Sequence, residues 1–250
     1  MKIYQMTNKY MIFIANWKMF GGLNSLNSLH KVIKFFKSFK KNKFIKIIYC
    51  PPSTLIRPMS KKLKNTRIDV GAQNCHEHKT YGAFTGSINS IMLKNVGAKY
   101  VIIGHSENRQ TGESNKLINL KIKSALRSGL KVIFCIGETL QEKRKKITKK
   151  VLIKQIKFGL DKIKNKKNIL VAYEPVWSIG TGLIPKSREL HETINFVKKN
   201  IKNTKVLYGG SVNPKNIYEL KSIDNIDGYL IGGASQDSKK FIDIIKKTYI

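Results

Sequence analysis

The strongest constraint on the fold is a series of eight short apolar runs, which recur about once every 30 residues along the chain. Each run is continuously apolar and rich in β-branched residues, a pattern typical of parallel strands that are buried on both faces. We therefore predict eight parallel strands, at Met11–Ala15, Lys46–Cys50, Ile68–Ala72, Tyr100–Gly104, Lys131–Ile136, Ile169–Tyr173, Lys205–Tyr208 and Gly228–Gly232.

Helical patterns occupy the intervals between the strands. Asn213 followed by Pro214 predicts the start of one helix, which runs toward Leu220, because Asn is a good N-cap and Pro suits the first helical position. The other helices are predicted from apolar residues at helical spacing: Leu26, Leu29, Ile33 and Phe36; Leu117 and Leu120; Val151, Ile156, Leu160 and Ile163; Leu190, Ile194, Val197 and Ile201; Phe241, Ile244 and Ile245.

Eight units of one strand and one helix in 250 residues predict an α/β fold, the (β/α)8 barrel. An open doubly wound sheet usually has fewer strands. We expect a single barrel domain over residues 1–250, with residues 1–10 as a short N-terminal extension, and Met6 and Met11 are alternative starts.

The location and the metal content are predicted from what the sequence lacks. No stretch approaches the roughly 18 apolar residues that a membrane-spanning helix needs, and residues 1–10 do not read as a secretory signal, so we expect a cytoplasmic protein. Cys50, Cys75 and Cys135 are widely spaced, which argues against a disulfide framework or a zinc cluster. His76-Glu77-His78 lacks further ligands at a suitable spacing, and we expect neither a metal nor a cofactor.

The formal charge of +33 is unusual. A surface of this kind attracts nucleic acid, anionic lipid or small anionic substrates. Almost all of the charge is Lys, however, whereas base and phosphate recognition relies on the fork of Arg, and the Lys residues are spread along the whole chain. We favour a solvated surface without a specific nucleic-acid partner, and a nucleic-acid-binding protein is kept as an alternative.

Chemically capable residues follow five of the predicted strands. In a (β/α)8 barrel the active site lies at the carboxyl ends of the strands, so these residues are predicted to meet. They are Asn16 and Lys18 after the first strand, His105 after the fourth, Glu174 after the sixth, Gly209-Gly210-Ser211 after the seventh, and Gly232-Gly233 after the eighth.

Six segments, in order along nearly the whole chain, resemble triosephosphate isomerase. The eleven residues from Ala172 to Gly182 are the most specific, and the others are Asn16–Met19, Gly104–Glu107, Cys135–Thr139, Tyr208–Val212 and Gly232–Ser235. The resemblance implies the TIM barrel fold and an isomerase of glycolysis and gluconeogenesis that interconverts dihydroxyacetone phosphate and D-glyceraldehyde 3-phosphate. It also implies a homodimer, in which Thr85 on a projecting loop reaches the partner subunit.

The resemblance also implies roles for individual residues. Glu174 is expected to be the catalytic base and His105 a neutral electrophile, while Asn16 and Lys18 bind the substrate and stabilise the enediolate. This family is itself a standard example of such pKa tuning and of lid closure. The backbone of Gly180, Ser211, Gly232 and Gly233 is expected to bind the phosphate, and supporting roles fall to Ser106, Glu107, Cys135, Ile179 and Leu230.

Four positions depart from the usual pattern of this family, but none of them removes a chemical group from the predicted site. They are Ala15, Phe20, Asn108 and Ser178, the last of which is often alanine. Asn108 replaces a charge near the expected dimer contact, so the affinity of the dimer is the property most in question. Another phosphosugar-binding barrel enzyme, an epimerase or an aldolase, is the second enzymatic alternative.

Overall fold

A computed structural model describes residues 8–250, and in it the eight predicted runs form a closed barrel of parallel strands. Neighbours in sequence are neighbours in the sheet, and pairing of the first strand with the last closes the barrel. The predicted barrel is thus confirmed. The strands are β1 (Met11–Asn16), β2 (Ile45–Cys50), β3 (Asp69–Ala72), β4 (Tyr100–Ile103), β5 (Lys131–Ile136), β6 (Ile169–Tyr173), β7 (Lys205–Tyr208) and β8 (Gly228–Ile231).

The expected N-terminal extension, residues 1–10, falls mostly outside the described residues, which begin at Asn8. Residues 8–10 precede β1 without regular secondary structure. Outside the barrel, the described chain forms the helices α1 (Leu29–Ser38), α2 (Ser53–Leu63), α3 (Ser90–Asn95), α4 (Ser106–Gln110), α5 (Asn115–Arg127), α6 (Leu140–Arg144), α7 (Thr148–Gly159), α8 (Ser187–Asn200), α9 (Ile217–Lys221) and α10 (Ser238–Tyr249).

Two predictions about helices were wrong in detail. The predicted apolar face of α5 included Leu120, which is 44% exposed, whereas Ile118 and Ile122 are fully buried. In this orientation the side-chain amide of buried Asn119 donates hydrogen bonds to the carbonyls of Gly159 and Asp161, both at 3.0 Å, at and just beyond the C-terminal end of α7.

The helix predicted to start at Asn213-Pro214 begins at Ile217 instead. The Asn213 side chain does accept backbone N–H bonds, from Lys215 at 2.8 Å and from Asn216 at 3.2 Å. These bonds stabilise a turn that leads into α9, so the capping chemistry is present but it acts one turn before the helix.

Successive side chains of each strand point to opposite faces of the barrel wall, so the core has two layers, one inside the barrel and one between the barrel and the helices. Phe13 packs outward against Tyr229 and Tyr249, between the barrel and the helices. The residues on either side of Phe13 point into the barrel, where they form a second apolar cluster. That inner cluster comprises Ile12, Ile14, Ile48, Cys50, Tyr100, Ile102, Ile133, Cys135, Ala172, Leu207 and Leu230.

At the amino ends of the strands, buried charges are paired. Asp69, the first residue of β3, binds the ammonium groups of Lys46 and of Lys99, the latter at 2.8 Å. Burial alone raises the pKa of Asp69, but the hydrogen bonds and charges of the two lysines outweigh it and lower the pKa below its usual value. This floor of the barrel therefore holds a stable, ionised carboxylate.

Candidate active site

The polar side chains at the carboxyl ends of the strands continue the inward-facing series of the barrel. Asn16 follows Ile12 and Ile14 at intervals of two residues, and Glu174 follows Ala172 in the same way. Both are buried, and their side chains cap the inner apolar cluster at the rim. The strand period thus places them over the barrel axis, where the sequence predicted an active site.

A cleft of about 220 Å³ opens at this rim. Thr85, Ser106, Glu107 and Cys135 do not line it; Thr85 is exposed on the loop between β3 and α3. The cleft brings together twelve of the residues singled out in the sequence, which are Asn16, Lys18, His105, Glu174, Ile179, Gly180, Gly209, Gly210, Ser211, Leu230, Gly232 and Gly233.

His105 caps the N-terminus of α4, and this position determines which ring nitrogen carries the proton. Its Nδ1 accepts the backbone N–H of Glu107 at 3.3 Å. An accepting Nδ1 carries no proton, so we assign the single proton of the neutral ring to Nε2. Nε2 lies 3.5 Å from Oε1 of Glu174, so the ring presents an N–H donor to the cleft.

Glu174 is only 3% exposed, and its carboxylate is poorly solvated. Burial raises its pKa, while His105, a hydrogen bond from the Cys135 thiol and the charge of Lys18 act in the opposite direction. The pKa of Cys135 is itself raised well above its usual value by burial, so the thiol keeps its proton and can donate it. Oε2 of Glu174 has no hydrogen-bond partner among residues 8–250. The result is a desolvated and therefore strongly basic carboxylate.

Lys18 is held by contacts on both sides of its backbone. Its φ of +55° is uncommon for a residue with a side chain. Its N–H donates to Oδ1 of Asn16 at 3.1 Å, and its carbonyl accepts from Nε2 of Gln73 at 2.8 Å. The ammonium group pairs with Oε1 of Glu107 at 2.5 Å. These contacts fix a positive charge beside the cleft, and the part that Gln73 plays was not predicted from the sequence.

Glycines line part of the cleft and leave room there for a ligand. Gly180 has a φ of +73°, a conformation that favours glycine. At Gly209, a Cβ atom would lie 2.7 Å from Cγ of Glu174, so any side chain there would displace the carboxylate. The N–H of Gly209 itself donates to the carbonyl of Tyr173 at 2.8 Å. Glycine turns such as that at Gly180 can present backbone N–H groups to a ligand, and such groups bind phosphate oxygens well.

Glu138 lies within the Cys135–Thr139 segment, and the sequence predicted no role for it. Glu138 is fully buried and accepts hydrogen bonds from Nε1 of Trp177 at 2.9 Å and from the Tyr173 hydroxyl at 3.2 Å. Its bond to Trp177 anchors the turn Val176–Ser178, which follows Glu174 and borders the cleft. Its position just beyond β5 was the available signal, because the same rule identified the residues of the other strands.

The two imidazole rings of the His76-Glu77-His78 segment pack against the ring of Phe84 in tilted contacts. The ring centroids of His76 and His78 each lie 4.5 Å from that of Phe84. Within residues 8–250, no three His, Cys, Asp or Glu side chains come together as a metal-binding group. Over the same residues, no helix is long and apolar enough to cross a membrane.

Comparison with known proteins identifies relatives of this chain. The sequence pattern of the triosephosphate isomerase family matches residues 11–248. The chain is 42% identical to the triosephosphate isomerase of Dictyoglomus thermophilum, over 94% of this chain and 98% of that protein. It is 40% identical to that of Aquifex aeolicus, over 92% and 96% of the two chains. The crystal structure of triosephosphate isomerase from Bartonella henselae superposes with a TM-score of 0.85 at 35% identity, over 95% of this chain and 98% of that one.

Proposed function

This chain belongs to the triosephosphate isomerase family, and from that premise we propose that Glu174, His105 and Lys18 carry out its isomerisation. The reaction interconverts dihydroxyacetone phosphate and D-glyceraldehyde 3-phosphate, a step of glycolysis and gluconeogenesis. Membership of the family displaces the alternatives of an epimerase, an aldolase or a nucleic-acid-binding protein. The observation that carries the assignment of roles is the 3.5 Å approach of His105 Nε2 to Glu174 Oε1 within one cleft.

Glu174 is the base in this proposal. Its carboxylate takes a proton from C1 of the ketose, the electrons of the C–H bond form the C1–C2 double bond, and the carbonyl oxygen gains negative charge. The hydroxyl proton on O1 moves to O2, and return of the proton from Glu174 to C2 then gives the aldose. The buried surroundings of Glu174 support this role, because they raise its pKa and hence its basicity.

His105 and Lys18 stabilise the enediolate. The Nε2–H of His105 hydrogen-bonds the substrate oxygen on which negative charge develops. As that charge passes between the two adjacent oxygens O1 and O2, the neutral imidazole can hydrogen-bond each of them in turn. The ammonium of Lys18 supplies a fixed positive charge, and Asn16 a hydrogen bond beside it. Donors fixed in place before the reaction are effective because no reorganisation is needed in the transition state.

The phosphate is bound by main-chain N–H groups of Gly180, Ser211, Gly232 and Gly233. All four residues line the cleft together with His105. Residues 175–183, called the lid below, contain Ile179 and Gly180, which line the cleft together with Glu174. Leu230 of the inner apolar cluster also lines the cleft. Exclusion of water by the lid would strengthen every electrostatic contact in the cleft.

A coupled assay with dihydroxyacetone phosphate tests these roles. We expect turnover by the wild-type protein and a large loss of kcat for Glu174→Asp, which retracts the carboxylate by one methylene group while keeping its charge. Circular dichroism and the melting temperature should show an intact fold. A Glu174→Asp variant as active as the wild type would remove Glu174 from its role as the base.

We further propose a homodimer in the cytoplasm. Met19 is 99% exposed although it adjoins Lys18, and Tyr81 on the loop that carries Thr85 is 70% exposed. A two-fold dimer would cover both apolar side chains at once, with Thr85 of each subunit directed toward Asn16 and Lys18 of the partner subunit.

Sedimentation of Phe84→Asp tests the dimer, because Phe84 is an exposed aromatic residue on the same loop. We expect a monomer with reduced kcat. The control is Phe158→Asp, which introduces the same charge at an exposed aromatic residue of α7 and should leave the dimer intact. A dimeric Phe84→Asp protein would contradict the proposed interface.

A further inference from the structure

The hydroxyl of Ser178 has every hydrogen bond that a hydroxyl can make. Ser178 is fully buried at the end of the turn Val176–Ser178. Its Oγ lies 2.6 Å from the carbonyl of Leu183, 2.9 Å from the Tyr208 hydroxyl and 3.3 Å from the backbone nitrogen of Ser211. A hydroxyl has one donor and two acceptor sites, so Ser178 donates to Leu183 and accepts from Tyr208 and Ser211.

These three bonds connect three parts of the rim. Ser178 lies in the first half of the lid, Leu183 ends the lid, and Tyr208 and Ser211 flank the turn after β7. The two halves of the lid are therefore tied to each other and to the neighbouring loop through one oxygen atom. An alanine at this position would have no group that could make these bonds.

Gly210 independently marks the closeness of this contact. A Cβ atom at Gly210 would lie 2.2 Å from Oη of Tyr208 and 2.6 Å from Oγ of Ser178. Both distances are far below van der Waals contact, so a side chain at residue 210 would separate the two hydroxyls. The hydroxyls of Ser178 and Tyr208 are therefore closely packed against the backbone of Gly210, where only a glycine fits.

The backbone N–H of Ser211 links the Ser178 hydroxyl to the proposed phosphate site. Ser211 lines the cleft and is one of the four proposed phosphate-binding residues. Its N–H points to Oγ of Ser178, so the hydroxyl and a phosphate oxygen are alternative acceptors for the same donor. A ligand that takes this N–H leaves Ser178 bonded to the lid and to Tyr208 alone.

We propose that Ser178 is a positioning residue that couples the lid to phosphate binding: it holds the lid in register with Tyr208, and it competes with phosphate for the Ser211 N–H. The inference rests on the proposed phosphate site. It concerns the lid and not the proton transfer, so Ser178 acts through the position of Gly180 and Ile179 and does not itself touch the substrate.

Ser178→Ala separates the two effects, because it removes the hydroxyl with little change in volume. We expect kcat to fall roughly 3- to 10-fold, the factor that corresponds to one or two hydrogen bonds, since the lid loses its ties. The dissociation constant of inorganic phosphate, measured by calorimetry without turnover, should instead fall about 2- to 5-fold, because the Ser211 N–H is freed.

Tyr208→Phe provides the matched variant. It removes one bond of the lid but leaves Ser178 bonded to Ser211, so we expect a similar loss of kcat with an unchanged phosphate dissociation constant. In the double variant, the loss of kcat should be no larger than in Ser178→Ala alone, because both changes break the same contact.

Ser90→Ala is the structural control. Ser90 is fully buried and bonds the hydroxyls of Ser124 at 3.1 Å and Ser128 at 2.7 Å, between α3 and α5. It should lower the melting temperature and leave both kcat and phosphate affinity unchanged. The inference is overturned if Ser178→Ala behaves like this control, if it weakens phosphate binding, or if the double variant is additive. An inactive wild-type protein would instead contradict the proposed function.

Discussion

Glu174 and Asp69 lie at opposite ends of the same barrel, and their carboxylates have opposite surroundings. At the carboxyl rim, Glu174 is buried with one oxygen lacking a hydrogen bond, and burial raises its pKa. At the amino floor, Asp69 is also buried, but two lysine ammonium groups bind it and lower its pKa. One fold therefore holds one carboxylate ready to accept a proton and another that keeps its charge.

The two carboxylates therefore affect the free energy of unfolding differently: Asp69 stabilises the folded state, whereas Glu174 destabilises it. An incompletely bonded buried charge destabilises the folded state, and it persists at the rim because a solvated or fully paired carboxylate would be a weak base. The carboxylate of Asp69 at the floor is not needed as a base, and there it is paired with the ammonium groups of Lys46 and Lys99. We expect substitutions at the rim to change activity more than stability, and substitutions at the floor to do the reverse.

Exchanging each carboxylate for its amide gives the largest contrast. Glu174→Gln should lower kcat by about 10² to 10⁴, the usual contribution of a general base, and should leave the melting temperature unchanged or raise it. Asp69→Asn should keep kcat within about twofold and cost about 1–3 kcal/mol, because Lys46 and Lys99 lose a charged partner. Coupled assays and thermal melts of both variants measure this. A strongly destabilised Glu174→Gln variant would break the comparison.

The imidazole of the rim should show the next largest effect. His105→Gln keeps a hydrogen-bond donor but cannot place it at the same point, so we expect kcat to fall by about 10² to 10³ with little change in stability. His191→Gln is the control, since His191 is an exposed residue of α8 that pairs with Asp224 at 3.3 Å. Equal losses of activity in the two variants would argue against a role for His105.

The two carboxylates should respond to pH with opposite signs. The pKa of Glu174 is raised, so its contribution to stability is fully present below its ordinary value of 4.5 and is lost as the pH rises through the raised value. The pKa of Asp69 is lowered, so its contribution is present above its ordinary value of 3.8 and is lost as the pH falls through the lowered value.

Thermal melts against pH test these signs. The melting temperature of Glu174→Gln relative to wild type should increase above pH 4.5, and the deficit of Asp69→Asn should shrink below pH 3.8. The kcat/KM of the wild type should also fall in acid, with a midpoint above 4.5, because the base must be ionised. Parallel pH dependence of the two variants would contradict the opposite surroundings.

The smallest effect separates the two lysines of the floor. The Lys46 side chain is 22% exposed and that of Lys99 is 68% exposed. We expect Lys99→Met to cost about 0–1 kcal/mol, an amount that high salt removes, and Lys46→Met to cost more, about 1–3 kcal/mol. Melting temperatures in low and high salt measure both. A larger loss of stability in Lys99→Met than in Lys46→Met would mean that the more exposed lysine contributes more to the stability of the floor.

The strands could be predicted from the sequence because one local property, continuous hydrophobicity, reports burial on both faces. The rim residues followed from the strands, since the fold itself places strand ends together. The orientation of α5 could not be predicted, because the buried amide of Asn119 reaches carbonyls of another helix. No pattern within α5 records that partner.

Contacts between distant segments were missed for the same reason. Glu138 follows β5, but its partners Tyr173 and Trp177 lie on β6 and the lid. Asp69 stands out as a charge in an apolar run, yet nothing in the sequence pairs it with Lys46. The resemblance to a known family supplied the roles of the rim residues, whereas the hydrogen bonds that hold them became visible only in three dimensions.

The pairing of β1 with β8 has a consequence for protein synthesis. β1 is made before the other strands of the barrel, but its partner β8 ends at residue 231, so β1 keeps one unpaired edge until β8 has been made. Asn16 and Gly232, on opposite sides of that seam, meet only at this point. A fragment that ends before β8 therefore holds an incomplete cleft, and the unpaired edge of β1 is open to pairing with other strands.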